Sequence, residues 1–420
     1  MNFKTERRHQ MHAAAIKHLG AGSIFVGLAY ASFETVWALL VYSIFPSKTA
    51  VGIVIGIFYL LLLFSLAFLY PLFNKFSARK LLLSSLGVNS VVMIFYAVVY
   101  YLLQISVATR MQAQLLFFTL AGINAIFMAL RIQSMGILLR MNSMRKEISA
   151  NENFMYMVAN IGWVLGPLIV GIIAKIFRVD FLVLIIVMIL ASVCLLVATY
   201  VMAFSQTILK KEKQQEMQKI NVFKNLRMFF RSKKRLVSYI LSSGLEVWWT
   251  IPYIFIPIEM IEHYGFGVKE VGIFMFLLCL PLIIIEFFMR RQLSVSLRKV
   301  IMFGFGFVGT FGFIAAMTGN IYLFLGSIII ASFGMGLLEP TTESYFFSIT
   351  NQEESERFYG SFMTSKHIGG TVSKFALAAI LFFAPLRIGL IFISILMIVF
   401  AMIAVPKKNK KHKQIVATSA

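Results

Sequence analysis

Apolar runs of about 20 residues recur along the whole chain and constrain its fold more than any other feature. Each run is long enough to cross the roughly 30 Å hydrocarbon core of a bilayer as an α-helix. Of the 420 residues, 60% are hydrophobic and 13% are charged, whereas a soluble domain is about a quarter charged. The runs lack the strict alternation of apolar and polar residues that marks barrel strands. We therefore predict an all-α integral membrane protein.

The runs can be placed as twelve transmembrane helices. The predicted spans are residues 19–45, 50–73, 81–104, 112–139, 154–177, 180–204, 237–261, 270–289, 300–318, 321–349, 359–384 and 386–405. One long polar segment divides them into six and six, and part of this segment can form an amphipathic helix at the membrane surface. The predicted parts are an N-terminal tail (1–18), a first half (19–204), a basic linker (205–236), a second half (237–405) and a C-terminal tail (406–420).

The net charge of +22 is distributed in a way that indicates membrane topology rather than nucleic-acid binding. Most Lys and Arg residues fall in the two tails, the linker and every second loop. The positive-inside rule then predicts a multi-pass protein of the cytoplasmic (inner) membrane with both termini in the cytoplasm. The basic C-terminal tail is expected to contact anionic membrane lipid. Cys194 and Cys279 lie in apolar runs, which favours core positions over a disulfide or a metal site.

The two halves of the chain resemble each other weakly. The segment VIGIFYLLLLF at 54–64 is similar to EVGIFMFLLCL at 270–280. Residues 144–162 align with residues 351–369 without a gap, which places Gly162 on Gly369. Because these matches occur in the same order in both halves, we predict a parallel repeat of six helices, which is a common plan of transporters.

Three local motifs resemble those of the major facilitator superfamily. The loop YPLFNKFSARK, residues 70–80, lies between spans 2 and 3, as does the family pattern Gly-x-x-x-Asp-Arg/Lys-x-Gly. The loop keeps the basic residues of that pattern, which are Lys75, Arg79 and Lys80. It departs from the glycines and the aspartate of the pattern, which are replaced by Tyr70, Asn74 and Ser77. In the second half, Glu286 and Arg290 stand at the equivalent place, where a gating contact or a local ion pair is expected.

The other two motifs lie in spans 4 and 5. ALRIQSMG contains Arg131 and resembles the span-4 arginine motif of proton-coupled members. GWVLGPLIVG is similar to the Gly-x-x-x-Gly-Pro pattern of antiporters, through Gly162, Gly166, Pro167 and Gly171. Small residues four apart also let two helices pack closely, so this motif is compatible with packing alone. The resemblance covers residues 19–405 and implies two six-helix halves around a cavity lined by spans 1, 4, 7 and 10.

Ionisable residues within the spans are the candidates for function, because each costs at least about 2.5 kcal/mol at the centre of a membrane helix. They are Glu34, Arg131, Glu246, Glu286, Glu339, Glu343, Lys366, His367 and Lys374. The implied cavity helices carry five of them, and we predict that these five take part in proton coupling or substrate binding: Glu34, Arg131, Glu246, Glu339 and Glu343. A carboxylate in a partly dry cavity can bind and release a proton near neutral pH.

Aromatic and amide side chains near these charges are predicted to line the cavity: Tyr30, Trp37, Asn124, Trp249 and Tyr253. Aromatic rings beside a carboxylate suit an apolar, cationic ligand, although tryptophans near helix ends also anchor proteins at the interface. Asn124 could equally hydrogen-bond another helix. We expect Glu343 to pair with Lys366 across the span 10–span 11 hairpin. Glu339 lies one turn deeper, and we expect it to face the cavity and to take a proton or a cationic substrate.

These features predict a secondary active transporter, acting as a monomer, that exports an amphipathic or drug-like compound in exchange for protons. Proton-coupled uptake of a sugar or an organic acid, and lipid flipping, stay open as alternatives. The sequence shows no metal-ligand spacing and no phosphate-binding Gly-Lys motif, so we expect neither an enzyme nor a cofactor. The expected partners are a small-molecule substrate, protons and membrane lipid, and no nucleic acid.

Overall fold

The computed structural model describes residues 3–143, 148–204, 222–289 and 296–406. These segments form fourteen α-helices: α1 Phe3–Ile44, α2 Lys48–Phe68, α3 Ala78–Gln104, α4 Arg110–Met141, α5 Ile148–Phe177, α6 Asp180–Phe204, α7 Val222–Phe230, α8 Lys233–Thr250, α9 Ile256–Glu262, α10 Val268–Met289, α11 Leu297–Met317, α12 Ile321–Ile349, α13 Gln352–Phe383 and α14 Leu386–Ala404. Ten of the helical stretches are long and apolar enough to cross a membrane. The continuous α8–α9 unit and the more polar α13 make the other two crossings, which confirms the predicted twelve-helix fold.

Short polar signals start several of these helices. Thr109 and Gln112 form a capping box at the start of α4, and Asn351 and Glu354 form another at the start of α13. The side chain of Asn320 accepts hydrogen bonds from the first backbone N–H groups of α12. These caps satisfy backbone donors that the helix itself leaves unpaired. The observed starts of α4 and α12 lie within two residues of the predicted spans, whereas α13 begins at Gln352, seven residues before the predicted span.

Helix α1 begins at Phe3 and therefore runs through the predicted N-terminal tail, residues 1–18. Residues 4–17 are rich in Lys, Arg, Glu, Gln, Met and Ala, which are good helix formers. The polarity of this segment therefore marks where the helix leaves the hydrocarbon region. It does not mark where the helix begins.

The linker also carries helical structure. Its first part, residues 205–221, and the C-terminal tail, residues 407–420, lie outside the described residues. Helix α7 packs its apolar face on the second half, where Phe229 is fully buried against Tyr239 and Phe358. In the first turn of α8, the Arg235 guanidinium donates hydrogen bonds to the carbonyl oxygens of Met228 and Phe229 at the end of α7, and it forms a 2.7 Å ion pair with Glu354 of α13. The amphipathic helix predicted from the sequence is therefore held against the second half.

The seventh crossing is interrupted near its middle. Between α8 and α9, residues Ile251–Phe255 form a π-helical turn. Pro252 lies in this turn and Pro257 lies just beyond it, and neither can donate a backbone hydrogen bond. Wide turns of this kind re-aim the neighbouring side chains and are frequent at functional sites.

Two equivalent contacts display the repeat in three dimensions. In the first half, Arg79 at the start of α3 donates a hydrogen bond to the carbonyl oxygen of Ala203 at the end of α6. In the second half, Arg298 at the start of α11 donates to Ile403 at the end of α14, over 2.9 Å. Each bond satisfies a carbonyl that the end of its helix leaves unpaired. The two halves thus share the same arginine–carbonyl contact at equivalent positions.

The aligned glycines Gly162 and Gly369 also occupy equivalent helix crossings. A Cβ atom on Gly162 of α5 would lie 2.5 Å from the backbone nitrogen of Leu28 in α1. A Cβ atom on Gly369 of α13 would meet the carbonyl oxygen of Ser243 in α8. Since only glycine permits such close backbones, these crossings fix the α1–α5 and α8–α13 pairs.

The two halves meet most closely at one end of the bundle. We call the end at which α1 begins and α6 and α14 end the terminal end, and the other the opposite end. Towards the opposite end, α5 crosses α10 where Gly171 faces Gly272. On the far side of the bundle, α2 crosses α13, where a Cβ on Gly52 would lie 2.9 Å from the Cβ of Ala378.

Charged groups join the halves at the same end. Lys48 Nζ, at the start of α2, lies 2.5 Å from Glu259 Oε2 and 2.8 Å from Glu262 Oε2 of α9. The carboxylate of Asp180, at the start of α6, accepts a hydrogen bond of 3.3 Å from the backbone nitrogen of Val268, at the start of α10. The opposite end is therefore closed in this conformation.

Candidate functional site

Three charged side chains from different helices interact electrostatically across the interface between the halves. Glu34 belongs to α1 of the first half, whereas Glu246 of α8 and Lys374 of α13 belong to the second half. The charges of both carboxylates act on the Lys374 ammonium, and the two carboxylates also act on each other. Both glutamates are half-buried. The arrangement thus combines like charges from opposite halves with one shared cation.

Lys374 is buried, and its ammonium group makes two specific contacts. Its side chain is 2% exposed, and its Nζ atom lies 3.6 Å from the centroid of the Tyr59 ring on α2. The same ammonium donates a 3.3 Å hydrogen bond to the carbonyl oxygen of Gly370, one turn earlier in α13. A cation over an aromatic face is stabilised by the ring quadrupole, and more so away from water. Sequence reasoning noted Lys374 as an ionisable residue within a span but did not assign it or Tyr59 to the site.

A group of aromatic rings lies next to these charges. Tyr253, in the π-helical turn, packs edge-on against Trp249 at 5.2 Å and against Trp163 of α5 at 6.4 Å. Its hydroxyl and the Cys279 thiol of α10 form a hydrogen bond of 3.1 Å. Trp249 and Tyr253 were predicted to line the cavity, and both are half-buried. Trp163 was missed, although it stands directly after Gly162 in the span-5 motif.

Glu339 belongs to the same neighbourhood. Its charge acts on Tyr253 and on Cys279, and Glu34 also acts on Tyr253. Glu339 is half-buried and directly precedes Pro340 inside α12. Tyr253 is therefore influenced by carboxylates of α1 and α12, and it contacts α5 of the first half and α10 of the second half.

Arg131 has a different environment. Its guanidinium carbon lies 4.4 Å from the centroid of the Tyr30 ring on α1, and the Tyr30 hydroxyl accepts a 2.8 Å hydrogen bond from Asn89 of α3. Asn124 is fully buried, and its side chain interacts with Tyr96 of α3. In this conformation, these predicted site residues form a polar cluster within the first half.

Trp37 also belongs to the interior of the first half. It is 3% exposed, and its ring packs against Phe33, Phe58, Tyr96 and Phe117. The prediction that it lines the cavity beside Glu34 does not describe this conformation. Residues three apart differ by about 60° around a helix, and here that angle turns the indole away from the interface.

Glu343 lies away from the central charges, at the terminal end. Its carboxylate accepts a 2.5 Å hydrogen bond from the hydroxyl of Tyr359 on α13. The ring of Tyr359 in turn lies 4.9 Å from the guanidinium carbon of Arg140, at the end of α4 in the first half. Glu343 thus takes part in a contact between the halves. Its predicted pairing with Lys366 stays a prediction.

The predicted gating residues have separate places. Arg79 bonds within the first half, as described above, while Lys75 and Lys80 are exposed at the terminal end. Glu286 belongs to α10, and Arg290 lies outside the described residues, so their expected contact stays a prediction. Within the described ranges, no group of three or more His, Cys, Asp or Glu side chains could hold a metal ion.

The span-5 motif contacts both halves. Gly162 and Gly166 face α1, since a Cβ on Gly166 would lie 2.7 Å from the backbone nitrogen of Ser32. Pro167 and Gly171 face α10 of the second half, where a Cβ on Gly272 would lie 2.9 Å from the Pro167 carbonyl oxygen and 2.7 Å from the Gly171 nitrogen. The motif therefore has a packing role at the α5–α10 crossing.

Comparisons with known proteins agree with this architecture. The sequence model described as Major Facilitator Superfamily matches residues 19–291 and 247–420. A POT family transporter crystallised with 5-aminolevulinic acid is 14% identical, with a TM-score of 0.68 over 92% of this chain and 94% of that one. The nucleoside transporter NupG is also 14% identical, with a TM-score of 0.68 over 93% and 98% of the two chains. At these identities the likeness establishes the fold alone, and the search of curated proteins found no match.

Proposed function

The chain belongs to the major facilitator superfamily of membrane transporters, and we propose that it exports an amphipathic or drug-like compound in exchange for protons. The two halves would rock about the central charges, opening the terminal end and the opposite end in turn. One chain supplies every side chain of this site, so a monomer surrounded by lipid is sufficient for the mechanism.

The observation that carries the proposal is the electrostatic interaction of Glu34 and Glu246, from opposite halves, with each other and with Lys374, whose ammonium lies over the Tyr59 ring at the interface. Two carboxylates and one ammonium leave a net negative charge in a half-buried place. A proton or a cationic substrate can neutralise it. Because the carboxylates belong to different halves, the bound charge alters the energy of bringing the halves together. This is the physical requirement for coupling a proton to a conformational change.

The aromatic rings support an amphipathic, cationic substrate. Trp163, Trp249 and Tyr253 offer flat apolar faces next to Glu34 and Glu339. Aromatic faces bind organic cations through the ring quadrupole, and a carboxylate nearby adds charge attraction. A site with this composition can accept several ligands of similar shape, as expected for export of drug-like compounds.

The basic linker and tails support an orientation with the terminal end in the cytoplasm. The opposite end, closed by the Lys48 ion pairs and the α5–α10 crossing, would then face the outside. In this conformation the site would receive its substrate from the cytoplasm. Protonation from the outside would occur after the halves rock.

Flux measurements in proteoliposomes test the proposal, with ethidium and tetraphenylphosphonium as probes. We expect probe movement against the direction of an imposed proton gradient. Glu34→Gln, Glu246→Gln and Glu339→Gln should each abolish the response to the gradient, because each removes a carboxylate that can hold the proton. Glu270→Gln is the matched control, since Glu270 pairs with Lys269 in the first turn of α10, at the opposite end.

Three results would change the proposal. Accumulation of a probe in the same direction as the protons would favour the uptake alternative over export. Equal flux with and without the gradient, in the wild type and in all three variants, would remove proton coupling. If a fluorescent phospholipid moved between leaflets faster than either probe crossed the membrane, lipid flipping would replace small-molecule export.

A further inference from the structure

The contact between Lys374 and Tyr59 crosses the interface between the two halves. Lys374 lies on α13 of the second half and Tyr59 lies on α2 of the first, with 3.6 Å between the ammonium and the ring centroid. The lysine is 2% exposed. Any movement that separates α2 from α13 must therefore take this ammonium off the ring.

The contact between Lys374 and Tyr59 depends on glycine at position 370. A Cβ atom on Gly370 would lie 3.1 Å from Tyr59 Cδ1 and 3.3 Å from Lys374 Nζ. The Gly370 carbonyl also accepts the hydrogen bond from Lys374. Glycine at this position thus lets the ring and the ammonium meet, while its backbone orients the ammonium. The place is shaped for a cation bound between the halves.

A buried ammonium is stable only with compensating charge, because desolvation of an unpaired ion costs several kcal/mol. The compensation here comes from Glu34 across the interface and from Glu246 on the same half. We propose that Lys374 is a charge-sensitive bridge, which holds the opposite end closed only while Glu34, across the interface, is ionised. This inference rests on the proposed function for its purpose, and Lys374 is a positioning residue that acts through the carboxylates.

Other titratable groups surround the bridge, and they are part of its electrostatic balance. Those that interact with Lys374 or with its ring partner, from each helix involved, are Glu34 on α1, Glu246 on α8, the Tyr59 hydroxyl on α2 and His367, with its neighbour Lys366, on α13. A comparison of variants that differ only at Lys374 keeps all of these groups constant.

The proposed bridge predicts that removing the charge of Lys374 reverses the pH dependence of closure at the opposite end. In the wild type, ionised Glu34 attracts Lys374 across the interface, so raising the pH favours closure of the opposite end. In Lys374→Met, ionised Glu34 and Glu246 face each other across the interface without a cation, so raising the pH disfavours closure. Lys374→Arg keeps the cation and should keep the wild-type sign. Methionine fills a similar volume, and replacing a buried charge by an apolar group is often tolerated by the fold.

The measurement is the distance between spin labels at Val107 and Phe383, which are exposed at the opposite end in different halves, at 66% and 86%. The full-length protein in lipid nanodiscs is measured at pH 5 and pH 8 by pulsed electron paramagnetic resonance. We expect more of the short distance at pH 8 in the wild type and in Lys374→Arg, and less of it at pH 8 in Lys374→Met.

Variants at Tyr59 separate the ring from the hydroxyl. Tyr59→Phe keeps the cation–π contact and should match the wild type, whereas Tyr59→Leu should weaken closure at both pH values without changing the sign. The proposal is overturned if Lys374→Met keeps the wild-type sign, or if neither protein responds to pH. No substrate is present in this measurement. The pH dependence could therefore reverse in Lys374→Met while the proteoliposomes show no gradient-driven flux. That combination would reject the proposed function but support the bridge.

Discussion

The two ends of the interface between the halves are built from different kinds of contact. At the opposite end, backbones touch at Gly171 and Gly272, and Lys48 joins two carboxylates. At the terminal end, a long side chain makes the contact described above, with Arg140 lying over the ring of Tyr359. Backbone contacts between small residues allow little adjustment, whereas a long side chain can follow a moving partner. The comparison indicates that small shifts of the helices affect closure of the opposite end more than closure of the terminal end.

The largest expected effect comes from Gly272→Ala. Its Cβ would lie 2.7 Å from the Gly171 nitrogen and 2.9 Å from the Pro167 carbonyl oxygen, and backbone atoms in the middle of a helix cannot move aside cheaply. Overpacking of this kind costs about 1–3 kcal/mol, and here the cost falls on the closed state alone. Labels at Val107 and Phe383 should report mostly the long distance, and flux of the probes should fall. An unchanged distance would show that α5 and α10 adjust to the added methyl group.

A smaller effect is expected from Lys48→Glu, which turns two attractions at the opposite end into repulsions. Lys48 and Glu259 are 18% and 19% exposed, so solvent weakens the interaction. We expect the ratio of closed to open protein to fall about tenfold, which corresponds to roughly 1.4 kcal/mol. Adding Glu259→Lys and Glu262→Lys to the same chain should restore the short distance. Failure of this exchange of charges would mean that the ion pairs do not hold the end closed.

At the terminal end, Tyr359→Phe should have a modest effect. The change removes the hydrogen bond to Glu343 but keeps the ring beneath Arg140. We expect the distance between labels at Met141 and Val405, on the two halves, to become slightly longer, with the Val107–Phe383 distance unchanged. A large response at either label pair would show that this end is held as rigidly as the other.

The smallest effect is expected from Gly171→Ala, the matched control for Gly272→Ala at the same crossing. The nearest atom to its Cβ would be the Lys269 carbonyl oxygen at 3.5 Å, an ordinary van der Waals distance. The melting temperature, the label distances and the flux should therefore match the wild type. If both alanine variants behaved alike, the claim that only a Cβ at Gly272 disturbs this crossing would be contradicted.

Much of the fold could be predicted from the sequence because a bilayer imposes a length and a polarity on each crossing. The alignment of Gly162 with Gly369 paired two positions that lie at equivalent helix crossings in the structure. The cost of charge within a membrane also pointed to Glu34 and Glu246. These predictions depend on one helix at a time or on the similarity of the two halves.

The details of the site depend on how helices from different halves face each other, which no local pattern records. Lys374 meets Tyr59 because α2 and α13 cross in a particular register, and Gly370 allows that approach. Trp37 turns into the first half, although it stands three residues from Glu34. Glu343 and Glu339 are one turn apart on α12 but serve different regions, because α13 offers Tyr359 to Glu343.

The most direct test of alternating access follows both ends of the same protein. Labels at Val107 and Phe383 report the opposite end, and labels at Met141 and Val405 report the terminal end. The two pairs are measured in nanodiscs under identical steps of pH, with and without ethidium. We predict that one distance lengthens whenever the other shortens. Distances that lengthen together, or a terminal-end distance that stays fixed while the opposite end opens, would contradict alternating access.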